Sequence, residues 1–142
     1  MKNRNIIVTG GNAGIGLATS IALAKQGANI YIVCRSKEKA ETAVQEISKA
    51  SGNSHIRYFL ADLSAQKSVR ALAAAIRNEL SVVDVLINNA GGVFPEFKLT
   101  EDGIESCIAT NHLAYFLLTN LLLDLIQKSE YARIVNVSSN SH

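Results

Sequence analysis

Branched aliphatic runs alternate with helical patterns along the whole chain, and that alternation predicts its architecture. Residues 6–8, 29–33, 56–60, 83–87 and 133–137 form short runs, most of them rich in Ile and Val. Such runs read as parallel strands covered on both faces. Between them, apolar positions recur at helical spacing. Ala40, Ala43, Val44 and Ile47 fall at i, i+3, i+4 and i+7, as do Val69, Leu72, Ala73 and Ile76. Ser36 and Ser64 are placed as N-caps of these two helices, and Gly27 as the glycine that ends the first one. Thr100, followed by Glu101 and Asp102, is placed to cap a fourth. Strand and helix in alternation, with right-handed crossovers, predict an α/β fold built on a doubly wound parallel sheet. Five strands in the order 3-2-1-4-5 are expected, with the switch point between the first and the fourth.

Between the first strand and the first helix the chain reads Thr9-Gly10-Gly11-Asn12-Ala13-Gly14-Ile15-Gly16. Glycines at a strand-to-helix turn permit positive φ and let a pyrophosphate approach the backbone with no Cβ in the way. The helix beyond offers unpaired N–H groups and a positive dipole end to an anion. An ordinary turn is the bland alternative, and the strand-before, helix-after context argues against it.

Composition narrows the classes. At 142 residues the chain fits one domain able to bury about two thirds of its unfolded surface. Hydrophobic content of 48% and a single proline argue against disorder. The net charge is +2 and the 14 basic residues are scattered, so no nucleic-acid partner is expected. Cys34 and Cys107 are far apart in sequence and suggest neither a disulfide framework nor a zinc site; no metal is expected. A cytoplasmic protein without a membrane partner is expected: residues 6–8 are too short for a signal-peptide core. The leucine-rich run 113–126, broken by Asn120 and Asp124, reads as too short to span a bilayer.

Ligands of open parallel sheets lie outside the carboxyl ends of the strands. Those five ends carry the glycine loop, Cys34-Arg35, Asp62-Leu63, Asn88-Asn89-Ala90-Gly91 and Ser138-Ser139. Each end carries small or polar chemistry, and together they read as a built site. Pro95 falls in the loop after the fourth strand, on the expected substrate side. His142 reads as loop and has no assigned role.

On these residues the chain resembles a short-chain dehydrogenase/reductase, of the branch whose loop reads Thr-Gly-x-x-x-Gly-x-Gly. Thr9, Gly10, Gly14 and Gly16 match that loop, with Ile15 between the last two glycines and Asn12 inside it. The resemblance implies a Rossmann-like fold with Asp62 and Leu63 at the adenine and Asn89, Ala90 and Gly91 along the cofactor. It further implies that Asn111 serves a catalytic water relay and that Ser139 is the catalytic serine. Asn111-His112-Leu113 and Val137-Ser138-Ser139 are phrased much as in retinol-dehydrogenase-like members. A homo-oligomer acting on a small alcohol or carbonyl is also implied. Plainer readings exist beside these. Asp62 could be a loop acid ahead of Ser64, and Asn88 and Asn89 could satisfy backbone groups between strands. Asparagine in a helix interior costs stability, so Asn111 is either exposed or held there by another role.

The end of the second strand bears on cofactor type. An acid there holds the ribose 2′-hydroxyl of NAD, whereas an arginine accommodates a 2′-phosphate. Cys34 stands in the acid's place and Arg35 follows, which favours NADP over NAD. Arg35 as a solvated surface charge is the alternative. The family's Tyr-x-x-x-Lys pair is missing: four residues after Tyr31, Tyr58, Tyr115 and Tyr131 come Arg35, Asp62, Thr119 and Val135. The expectation is therefore the amino-terminal part of an NADP-dependent oxidoreductase, one domain over 1–142 that is incomplete before a sixth strand. Such a chain would bind without turnover and leave its fifth strand as an uncovered edge. A non-catalytic nucleotide-binding or partner-binding module is the alternative function.

Overall fold

The computed structural model describes residues 1–139; His142 lies outside the described residues. The elements run β1 (Asn5–Thr9), α1 (Gly14–Lys25), β2 (Asn29–Cys34), α2 (Lys37–Ser51), β3 (Ile56–Leu60), α3 (Gln66–Glu79) and β4 (Val85–Asn88). They continue with α4 (Ser106–Ile108), a π-helical turn (Ala109–Leu113), α5 (Ala114–Gln127) and β5 (Arg133–Asn136). The five strands form one parallel sheet in the order β3-β2-β1-β4-β5, the Rossmann-like arrangement expected from the alternation.

Side chains alternate across the sheet because the strand repeat is two residues. Ile6 and Val8 of β1 face the layer of α1 and α2, joined by Ile30, Ile32, Ala43 and Ile47. Ile7 faces the opposite layer of α3 and α5, joined by Val33, Leu86, Leu72, Leu118 and Leu122. Ile6, Ile7 and Val8 are fully buried, so β1 has no solvent face. Each such side chain contributes about 1.5–3 kcal/mol of burial.

Two caps differ from the sequence expectation. Ser36 does cap α2, accepting from Lys39 N at 3.3 Å, and Gly27 with φ +81° follows the end of α1. Ser64 does not cap α3: its hydroxyl and N–H both donate to Asp62, and the N-cap position is Ala65. The carboxylate of Asp102, 36 residues away, accepts from Gln66 N at 2.8 Å instead. Nor does Thr100 cap the fourth helix. An antiparallel bridge pairs Leu99 with Glu105, and Glu105 caps α4 by accepting from Cys107 N and Ile108 N. Those two hydrogen bonds hold the Glu105 carboxyl below its usual pKa.

The fourth helical stretch is also longer than expected. α4, the π turn and α5 run as one helix, Ser106–Gln127, whose 22 residues are long and apolar enough by length and composition to cross a membrane. The leucine-rich run counted alone missed its first turns. Here Ala114, Leu118, Leu122, Leu125 and Ile126 are buried in the layer shared with α3. Val83, expected to open β4, lies outside the ladder because its N–H donates to Leu125 O. β5 lies at the sheet edge among the described residues, and all four of its residues are exposed, Ile134 and Val135 included.

At the amino ends of the strands Asp84 is buried. It accepts from Asn5 N at 2.8 Å, Ser129 Oγ at 2.6 Å and Arg4 Nη1 at 3.3 Å. The Arg4 guanidinium stacks over the Tyr131 ring at 3.5 Å. This knot ties β1, β4 and the approach to β5 together, at the sheet end opposite the glycine loop.

Candidate nucleotide-binding site

Strand order reverses between β1 and β4, whose neighbours β2 and β5 lie on opposite sides, and a cleft opens at their carboxyl ends. Its volume is about 910 Å³, at the upper end of small-molecule sites. Gly10, Asn12, Gly14, Ile15, Arg35, Asp62, Leu63, Asn89, Ala90 and Gly91 all line it. Residues from four separate strand ends are thus brought to one cavity.

Two glycines in the loop have different reasons. Gly14 sits at φ +52°, and a Cβ built there would meet nothing within 4 Å. Its side-chain direction is open space at the start of α1, where the helix presents unpaired N–H groups. Gly16 faces inward: a Cβ there would lie 2.3 Å from Gly10 O and 2.5 Å from Asn89 Nδ2.

Thr9 and Gly16 stand behind the cleft wall and are buried. Thr9 Oγ1 accepts from Asn89 N at 2.9 Å and Ala90 N at 3.0 Å, and donates to Ile87 O. Asn89 Nδ2 returns the link by donating to Thr9 O at 2.9 Å and Gly10 O at 3.3 Å. The loops after β1 and β4 are therefore stitched together at the switch point. Asn88, fully buried, donates through Nδ2 to Thr119 Oγ1 at 3.1 Å and Asn136 Oδ1 at 2.8 Å. It joins β4 to α5 and β5 through side chains, whereas the backbone groups weighed as its partners from the sequence are met by Asn89.

At the second strand end Cys34 is buried and its thiol donates to Ser36 O at 3.5 Å; burial pushes its pKa up. Arg35 is exposed on the cleft wall. Asp62 Oδ1 accepts from Ser64 N at 2.9 Å and Ser64 Oγ at 2.7 Å. Burial raises the Asp62 pKa, but the Ser64 hydrogen bonds and the Arg35 charge outweigh it and hold the carboxyl below its usual range.

Asn111 lies in the π-helical turn, a local widening found often at functional sites. Its amide clamps Gly92, donating to Gly92 O at 2.9 Å and accepting from Gly92 N at 3.1 Å. That clamp is the reason for an asparagine inside a helix, and it shapes the loop following Gly91. Neither Asn111 nor Ser139 lines the cleft; Ser139 is exposed beyond β5. The cleft also includes Ser36, Lys39, Phe94 and Thr100, none of which is among the strand-end residues that the sequence singles out. Lys39 could have been found four residues after Arg35, in the first turn of the helix that follows it. Among the described residues no cluster of His, Cys, Asp and Glu could hold a metal ion.

Comparison with known proteins agrees with this geometry. The model of the short chain dehydrogenase family matches residues 4–142. Human retinol dehydrogenase 13 is 46% identical over 142 residues, which is all of this chain and 43% of that protein. Human retinol dehydrogenase 11 is 45% identical over the same length, 45% of that protein. The chain thus spans less than half the length of these relatives. Among solved structures, the Pseudomonas aeruginosa RhlG/NADP active-site complex superposes with a TM-score of 0.82 at 31% identity, covering 98% of this chain and 56% of that one. A short chain dehydrogenase from Escherichia coli CFT073 complexed with NADPH gives 0.79 at 26% identity, covering 94% and 57%. With a family match over nearly its whole length, the chain belongs to the short chain dehydrogenase family.

Proposed function

We propose that these residues form the cofactor-binding part of an NADP-dependent oxidoreductase that moves hydride between nicotinamide and an alcohol or carbonyl substrate. The observation that carries this reading is one cleft holding an open glycine loop at a helix N-terminus together with Arg35. The residues fit such a group. The space left at Gly14 would admit a pyrophosphate against backbone N–H groups, Asp62 and Leu63 would border the adenine, and Arg35 would meet the 2′-phosphate. Support comes also from the two solved relatives, one an NADP complex and one an NADPH complex.

A bound dinucleotide would supply or accept the hydride at its nicotinamide; the residues of this chain would bind and orient it. Asn111 fixes the backbone at Gly92, beside the Asn89–Gly91 wall. Ser139 is the residue that would touch substrate, but a serine hydroxyl alone is no proton donor or acceptor near neutral pH. No tyrosine of this chain has a lysine four residues on. These residues are therefore assigned binding and positioning.

Titration with NADPH and NADH tests the cofactor reading. NADPH should bind more tightly by about tenfold to a hundredfold, the worth of one charge-assisted contact. Cys34→Asp combined with Arg35→Leu should reverse the preference. Equal affinity for both dinucleotides before and after the change contradicts the assignment.

A further inference from the structure

The first turn of α2 carries two lysines, Lys37 and Lys39, where the helix dipole disfavours cations. Lys37 has a local explanation, since its ammonium pairs with Glu41 at 3.7 Å. Lys39 has none: among the described residues it has no ion-pair partner, yet it lines the nucleotide cleft beside Arg35 and Ser36. A cation held at an unfavourable helix end and facing a cleft is accounted for by an anion arriving there.

We propose that Lys39 is a second cation of the ribose-phosphate subsite and that, with Arg35, it determines selectivity for the 2′-phosphorylated dinucleotide. This inference rests on the cofactor reading above. The two cations stand differently toward the cleft. The Arg35 charge is felt at Asp62, on the adenine side, and so is partly engaged by a carboxylate of the protein itself. The Lys39 charge is felt at Cys34, the position an acid takes in sites that hold a 2′-hydroxyl. Ser36 Oγ is occupied in capping Lys39 N, which fixes the backbone from which the lysine side chain departs. A mobile ammonium on a fixed turn suits a phosphate as a point charge, whereas Arg35 provides the planar fork.

The test is titration of this chain and of Lys39→Gln and Lys39→Arg with NADPH and NADH, at low and moderate salt, with thermal melting of each protein. Lys39→Gln should weaken NADPH about tenfold, leave NADH within about twofold and flatten the salt dependence of NADPH binding. Its melting temperature should stay level or rise, because removing a cation from a helix N-terminus favours the helix. Lys39→Arg should restore NADPH affinity. An unchanged NADPH affinity in Lys39→Gln, or an equal fall for both dinucleotides, overturns the role of Lys39. Wild-type chain that prefers NADH overturns the cofactor reading itself, and the inference with it. The two failures are thus told apart by the wild-type titration alone.

Discussion

Valine at position 14 should abolish dinucleotide binding while the domain stays folded. The built Cβ of Gly14 meets no protein atom within 4 Å, so a larger side chain displaces nothing in the core. It fills the space in front of the loop, where a pyrophosphate must approach the N–H groups at the start of α1. The backbone adds a cost of its own, since φ +52° is a conformation that a β-branched residue adopts poorly. That strain is worth about 1–3 kcal/mol and should lower the melting temperature modestly. Affinity for NADPH should fall by about a hundredfold or more. A folded Gly14→Val protein with wild-type affinity would remove the loop from the binding site.

Gly16→Val should act in the opposite way and damage the fold first. Its Cβ would stand 2.3 Å from Gly10 O and 2.5 Å from Asn89 Nδ2, and both atoms belong to the stitch that joins the loops after β1 and β4. The nearer atom is backbone and cannot swing aside, and the Asn89 side-chain end is held in place by its own hydrogen bonds. Opening the contact takes Asn89 Nδ2 away from Thr9 O and Gly10 O, leaving buried polar groups without partners. Overpacking and lost hydrogen bonds together cost about 3 kcal/mol or more, a large share of the 5–15 kcal/mol typical of a domain. Urea unfolding should show a sharply lower midpoint, and cofactor binding should be lost along with structure. A midpoint equal to that of wild type would mean the loop can rearrange around the new side chain.

The pair also shows which parts of the molecule could be read from its sequence. β1 was legible because Ile6, Ile7 and Val8 must all be apolar when a strand is covered on both faces. The sheet order followed from alternation and crossover handedness, and the cleft from the chemistry at the strand ends. What escaped was set by contacts distant in sequence. Asp102 caps α3 from 36 residues away, so no local signal at Ser64 could reveal it. Thr100 looked like a cap because the short antiparallel bridge between Leu99 and Glu105 has no periodic pattern to betray it. Thr9 and Gly16 match the motif yet stand behind the cleft, since a motif records which residues a loop needs and not which of them face a ligand. Lys39 is hidden for a different reason: it lies on a helix, away from the strand ends where ligand chemistry is expected.

Asn111 is the clearest case of local propensity yielding to a tertiary demand. Its place in a helix interior is unfavourable by propensity, and the π turn with its two hydrogen bonds to Gly92 shows what it gains there. The same clamp links the helix that begins at Ser106 to the wall of the nucleotide cleft. A change at Asn111 would therefore reach Gly91 through the backbone of Gly92.

The most direct measurement of the central claim is amide chemical-shift mapping of the chain titrated with NADPH. Shifts are expected at Gly10, Gly14, Ile15, Arg35, Lys39, Leu63 and Ala90, all of which line the cleft. The knot of Arg4, Asp84 and Ser129 at the opposite end of the sheet should stay unmoved. Shifts centred on that knot, or none at saturating NADPH, would contradict that claim.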